Sequence, residues 1–217
     1  MTSSKLSNQK GSRRDKAIIA AVEKHKVLTT EQIECLLFSD IAYGKRMAQR
    51  RMKRLTEAKR IRRTRVEFDQ PYHYFLEKPG QIEHTVWVNW AYIWIRKNLK
   101  KWEELQSFQT EADFGVLRAD AVAGVKNTVT GELKIYFVEV DLGHNAFDKV
   151  KKYNRLYEED RYLTAWWVPL VNRFPAILVF TTRQGAVGEE IGKQITDLEF
   201  RVYSLDSVRK ECLARDR

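Results

Sequence analysis

The chain has 217 residues, enough for one or two domains, and 43% of them are hydrophobic, so either domain can bury a core. It carries 39 Lys and Arg against 29 Asp and Glu, a formal net charge of +10, which calls for a polyanionic partner. No run reaches the ~18 apolar residues of a membrane span, the polar N-terminus lacks the apolar stretch of a secretory signal, and Cys35 and Cys212 have neither disulfide-framework nor zinc spacing; a reducing, cytoplasmic setting is expected.

Residues 1–12 are polar and are expected to form a disordered basic tail, with Lys5, Lys10 and the adjacent Arg13 and Arg14 adding weak phosphate contacts. Residues 13–78 read as a compact module. Its first helix is predicted from Arg13 to Lys26, burying Ala17, Ile18, Ala21 and Val22. In VLTTEQIECLLF, Thr29 or Thr30 caps a second helix whose Ile33, Leu36 and Leu37 face the core, and Ser39-Asp40 turns the chain into a third.

That third segment dominates the electrostatics. From Tyr43 to Arg65 there are eleven basic residues and one acid, Glu57, so this stretch alone accounts for the net charge of the whole chain. A basic block is usually a solvated charge run. Here Met47, Ala48, Met52, Leu55 and Ala58 recur at helical spacing, so one face docks and leaves Lys45, Arg46, Gln49, Arg50, Lys53 and Arg54 on the other. Ile61–Val66 then alternates apolar with basic residues as a strand does, Glu67–Pro71 turns, and Tyr72–Leu76 forms a second strand. Three helices and a hairpin make a winged helix-turn-helix, in which the third helix enters the major groove of duplex DNA. Arg46, Gln49 and Arg50 are the candidate base readers, since Arg can bond guanine and Gln adenine at two points. Lys53 and Arg54 are the candidate phosphate contacts on the helix, and Arg62, Arg63 and Arg65 those on the wing.

Lys78-Pro79-Gly80 is the expected joint, and residues 79–106 a linker helix opening the second domain. That helix is predicted from Val88 to Leu105, with Ala91, Trp94, Ile95, Leu99 and Trp102 on one apolar face; Trp87, Trp90 and Trp94 suit either a core between the domains or a dimer surface. Residues 107–217 alternate between strands (Val116–Val125, Leu133–Val140, Ala176–Phe180, Phe200–Tyr203) and helices (Ala146–Glu159, Val187–Thr196). The expected class is therefore a two-domain α+β or α/β protein, with a sheet that begins as an antiparallel hairpin at Thr130-Gly131.

Three acids interrupt apolar strands in this half. Glu139 and Asp141 are two apart, so they share one face of a strand, and the hairpin can set Asp120 beside Glu139. Adjacent carboxylates need a shared proton or cation, which makes Asp120 and Glu139 candidate ligands for a divalent metal that activates water. Paired acids at strand ends are also commonly structural. No His-x-His pair exists among His25, His73, His84 and His144, and Gly188–Gln194 departs from a phosphate loop in both spacing and its final residue.

LTTEQIECLLF, the basic helix, RIRRTRV with PYHYFL, HTVWVN, RADAV and YFVEVDLGHNAFDKVKKYNRLY together resemble the replication-relaxation family of bacterial plasmids, phages and conjugative elements. The resemblance implies a winged helix followed by a restriction-endonuclease-like domain of the PD-(D/E)xK type. It implies catalytic positions at Asp120, Glu139 and Asp141 if that domain is a working nuclease. Two departures weigh against catalysis: Ala119 stands in place of the motif's proline, and Asp141 in place of its lysine. Lys149 on the following helix is the nearest substitute cation, with Lys152 next. The combined expectation is a cytoplasmic, DNA-associated bacterial homodimer that binds double-stranded DNA, needs no cofactor to do so, and serves alongside other replication or relaxase proteins. A Mg²⁺- or Mn²⁺-dependent endonuclease and a transcriptional repressor are the competing expectations.

Overall fold

A computed structural model describes residues 3–65, 67–68 and 70–214, with side chains from residue 11 onward. The chain divides into two compact units, Met1–Ile93 with Cys212–Arg217, and Trp94–Glu211. The expected joint at Lys78-Pro79-Gly80 lies wholly inside the first unit; the division falls within a helix instead.

In the first unit α1 spans Ser3–His25, starting ten residues before the expected Arg13, so the segment expected to be disordered is helical from Ser3. Lys26 takes a left-handed φ of 61° and breaks the helix. β1 follows at Val27–Thr29, a strand that was not foreseen because its three residues are too few to show alternation. α2 covers Thr30–Leu37 with Thr29 as its N-cap: the Thr29 hydroxyl accepts from Gln32 N–H and the Gln32 side chain accepts from Thr29 N–H, a complete capping box. Gln32 is fully buried, and its side-chain amide nitrogen donates to the Val86 carbonyl at 2.7 Å.

α3 runs Gly44–Glu57, burying Gly44, Ala48, Met52 and Leu55. Its first turn passes so close to the end of α2 that a Cβ on Gly44 would lie 2.3 Å from the Phe38 carbonyl oxygen. β2 (Arg62–Thr64) and β3 (His73–Phe75) are shorter than expected. Val66 and Asp69, assigned from the sequence to the strand and the turn, lie outside the described residues, as do the Lys5 and Lys10 side chains. The three strands form an antiparallel sheet in the order β1-β3-β2. Ile18, Val22, Leu28, Ile33, Phe38, Ala48, Met52, Leu55, Ile61 and Tyr74 make one buried cluster.

α4 covers Ile82–Lys97, six residues earlier than predicted, and it ends where Asn98 bonds back to the Trp94 carbonyl. Asn89 on α4 is buried and donates to the His25 and Val27 carbonyls. Cys35 and Cys212, distant in sequence, meet in this unit: the Cys35 Sγ lies 3.5 Å from the Cys212 carbonyl, and both remain thiols.

The second unit is a five-stranded mixed sheet in the order β4-β5-β6-β7-β8: Glu103–Asp113, Arg118–Asn127, Leu133–Asp141, Ala176–Thr181 and Phe200–Ser204. β4 to β6 pair antiparallel and β6 to β8 parallel. β4 replaces the end of the predicted helix. Trp102 and Leu105 continue the helical spacing of α4 only by coincidence, and Trp102 is about half exposed. α5 (Lys149–Glu158), α6 (Gln184–Gly192) and a 3-10 turn at Val168–Leu170 accompany the sheet, and α7 (Leu205–Leu213), not anticipated, starts in this unit and ends in the first. The phosphate-loop look-alike Gly188–Gln194 covers the end of α6 and the two residues after it. Phe137, Tyr153, Leu156, Trp167, Ile177 and Val179 centre the core between sheet and helices. Among the described residues no helix is long and apolar enough to cross a membrane.

Candidate nucleic-acid interface and acidic cluster

Burial of Ala48, Met52 and Leu55 fixes the rotation of α3. With 3.6 residues per turn, the opposite face must carry Arg46, Arg50 and Lys53, flanked by Gln49 and Arg54. All five are exposed, as is Lys45. Among the described residues, the ion pairs of this helix are Arg51 with Asp15 at 3.4 Å and Lys53 with Glu57 at 3.8 Å. The second joins two side chains that are each more than three-fifths exposed, so solvent screens it and Lys53 remains available. No acid of the described residues stands within salt-bridge distance of Lys45, Arg46, Arg50 or Arg54.

The hairpin arginines are held differently. Arg63 stacks its guanidinium on Tyr72 at 4.2 Å, and Arg65 lies over both Phe68 at 4.5 Å and Tyr72 at 4.6 Å. Stacking restrains the guanidinium plane while leaving its N–H edge able to meet an anion. Arg62 and Arg63 are exposed and Arg65 is half-buried.

Of the three acids, Asp120 and Glu139 are neighbours across β5 and β6, whereas Asp141 does not join them. Glu139 is 1% exposed: its Oε1 accepts the Tyr153 hydroxyl at 2.6 Å and its Oε2 meets Lys149 Nζ at 2.7 Å. Lys149 also donates to the Arg118 carbonyl at 3.0 Å. Lys149 and Tyr153 are four apart on α5, so one helical face delivers both. Burial pushes the Glu139 carboxyl up to about 8; Asp120 pushes the same way, whereas Lys149 and Tyr153 pull it down. Burial and the nearby Glu139 push the Tyr153 hydroxyl well above its ordinary value. Asp120 is half-buried and its Oδ2 accepts from the Val140 N–H at 2.7 Å.

Asp141 shares a strand face with Glu139 but belongs to another network. Its Oδ2 accepts from the Thr181 hydroxyl at 2.7 Å and from Arg183 Nε at 3.0 Å, and its Oδ1 from the Gly143 N–H at 3.1 Å. Burial opposes ionisation there, but the bonds from Arg183, Thr181 and Gly143 outweigh it and hold the carboxyl below its usual value. The expected catalytic role of Asp141 therefore meets a side chain already bound up in joining the ends of β6 and β7.

These donors do not fit a divalent cation as placed. A hard metal needs several oxygens turned toward one point. Here the ammonium of Lys149 stands 2.7 Å from the Glu139 oxygen that a metal would use. Among the described residues no group of three or more His, Cys, Asp or Glu is arranged to hold a metal. Tyr153 and Arg183 carry these networks and were not singled out for them from sequence. The i, i+4 spacing of Lys149 and Tyr153 was the available signal; the Arg183–Asp141 pair, 42 residues apart, left none.

A family model described as replication-relaxation matches residues 19–84, which span the end of α1, α2, α3, the three-stranded sheet and the start of α4. No curated protein and no solved structure matches the chain.

Proposed function

With the replication-relaxation match over residues 19–84 as premise, we propose that the chain is a double-stranded DNA-binding protein acting in the replication or relaxation of a plasmid or other mobile element, or in its regulation. The observation that carries this reading is the exposed cationic face of α3, where Lys45, Arg46, Arg50 and Arg54 have no acid among the described residues within salt-bridge distance. In this reading α2 and α3 are the helix-turn-helix and the β2–β3 hairpin is the wing. Arg46, Gln49 and Arg50 read bases. Lys45, Lys53 and Arg54, with Arg62, Arg63 and Arg65 on the wing, meet phosphates. DNA binding requires no cofactor, the protein works in the bacterial cytoplasm, and two copies on paired half-sites supply the specificity that one helix lacks. Other replication or relaxase proteins of the element would be its further partners.

The second unit is read as a PD-(D/E)xK-like domain without catalysis. Its Asp120 and Glu139 stand on β5 and β6, and the ion pair of Glu139 with Lys149 supports a structural role. The endonuclease reading has one observation in its favour, the arrival of Lys149 at Glu139, where the motif's missing lysine would be needed.

Fluorescence anisotropy with duplex DNA from the element's origin tests the binding. If ~4–6 phosphates are neutralised, log affinity against log salt has a slope of about −4 to −5. Lys53→Ala and Arg54→Ala should each flatten that slope by about 1, and Arg46→Ala or Arg50→Ala should cost about 1–3 kcal/mol of discrimination between sequences. Sedimentation of the same mixture should show two chains per duplex. Salt-independent binding, or none, would retire the proposal.

A further inference from the structure

A cleft beside α3, enclosing about 510 Å³, is lined by Gly11, Ser12, Asp15, Arg50, Arg51, Arg54 and Arg60. Four arginines line it against one aspartate. Arg50 and Arg54 are one helical turn apart on α3, Arg51 lies beside them toward α1, and Arg60 comes from the loop after the helix. Asp15 is nearly buried and holds Arg51 at 3.4 Å, which fixes one guanidinium in place without neutralising the other three. Gly11 lets α1 come close: a Cβ there would stand 3.0 Å from both terminal nitrogens of Arg51. Like charges repel, and arginine stays protonated at any physiological pH. An arginine cluster of this density is therefore arranged for an anion with several oxygens, and the guanidinium fork suits phosphate at two points.

We propose that this arginine cleft between α1 and α3 is a phosphate seat, its occupant a backbone phosphate of the bound duplex. The proposal deepens the DNA-binding reading and rests on it for the source of the phosphate. It adds Arg51 and Arg60 to the contacts and moves Arg50 toward the backbone, away from a purely base-reading role. A free polyphosphate would satisfy the same chemistry, so the test separates the two sources.

The 217-residue chain and its Arg60→Ala variant are compared in two titrations, one with inorganic pyrophosphate read by thermal shift, one with duplex DNA across a salt series. Arg60 is exposed in a loop, so its removal leaves the core intact. For a backbone phosphate, Arg60→Ala weakens duplex binding several-fold and flattens the salt slope by about 0.9, whether or not pyrophosphate also binds. For a free polyphosphate, pyrophosphate raises the melting temperature of the wild type only, and duplex binding is unchanged; the seat then stands but its assignment to DNA falls. Identical behaviour of the two proteins in both titrations overturns the seat altogether. Arg46→Ala and Lys53→Ala, which lie off the cleft, report on duplex binding by itself. If they have no effect the DNA reading fails, and the pyrophosphate titration still judges the cleft.

Discussion

Glu139 and Asp141 show how two carboxylates on one strand face acquire opposite chemistry. Asp141 receives an arginine and two further donors, so its charged form is favoured. Glu139 is buried with a second acid close by, and its Lys149 and Tyr153 partners do not compensate. With a folded value near 8, above the ordinary 4.5, folding favours the protonated form of Glu139. Its contribution to stability is complete below about pH 4.5 and is lost as pH rises toward 8. Glu139→Gln should therefore flatten the fall in stability over that range, leaving the wild type the more pH-sensitive of the two. Urea denaturation of both proteins at several pH values measures this. Parallel curves would mean that Glu139 ionises normally and that Lys149 dominates its environment.

At the scale of elements, the first unit depends on how closely α3 follows α2. The Phe38 carbonyl leaves no room for a side chain at Gly44, and the helix cannot shift without uncovering Ala48 and Met52. Gly44→Ala should destabilise the protein by about 1–3 kcal/mol through overpacking. Gly80→Ala, where a Cβ would meet nothing within 4 Å, is the control and should be close to neutral. Chemical denaturation reads both, and equal stabilities would sink the close-approach argument. α2 and α3 were legible in the sequence because a capping threonine and apolar spacing are properties of residues within one or two turns of each other. β1 and β4 were not. β1 has three residues and exists because β3 pairs with it, while β4 opens with residues that also fit the end of the preceding helix. Where two periodicities fit the same residues, the partner strand decides, and β5 lies far along the chain.

For the molecule as a whole, the question is whether the second unit does chemistry. Supercoiled plasmid incubated with the protein and Mg²⁺ or Mn²⁺ should remain intact, because the Lys149 ammonium and the Tyr153 hydroxyl occupy the Glu139 oxygens. Nicking that disappears in Asp120→Ala would reverse this and make the unit a nuclease.

The sequence by itself determined that the excess charge is confined to Tyr43–Arg65, that the helix there is amphipathic, and that an acid pair shares a strand face. Each follows from composition or from spacing along a regular backbone. Only the tertiary structure decided which charges remain available: Arg51 goes to Asp15, Asp141 to Arg183 and Lys149 to Glu139, while Arg50, Arg54 and Arg60 are left around one cleft. Ion-pair partners separated by 10 to 42 residues are chosen by how helices pack and sheets close, and no local pattern encodes that choice.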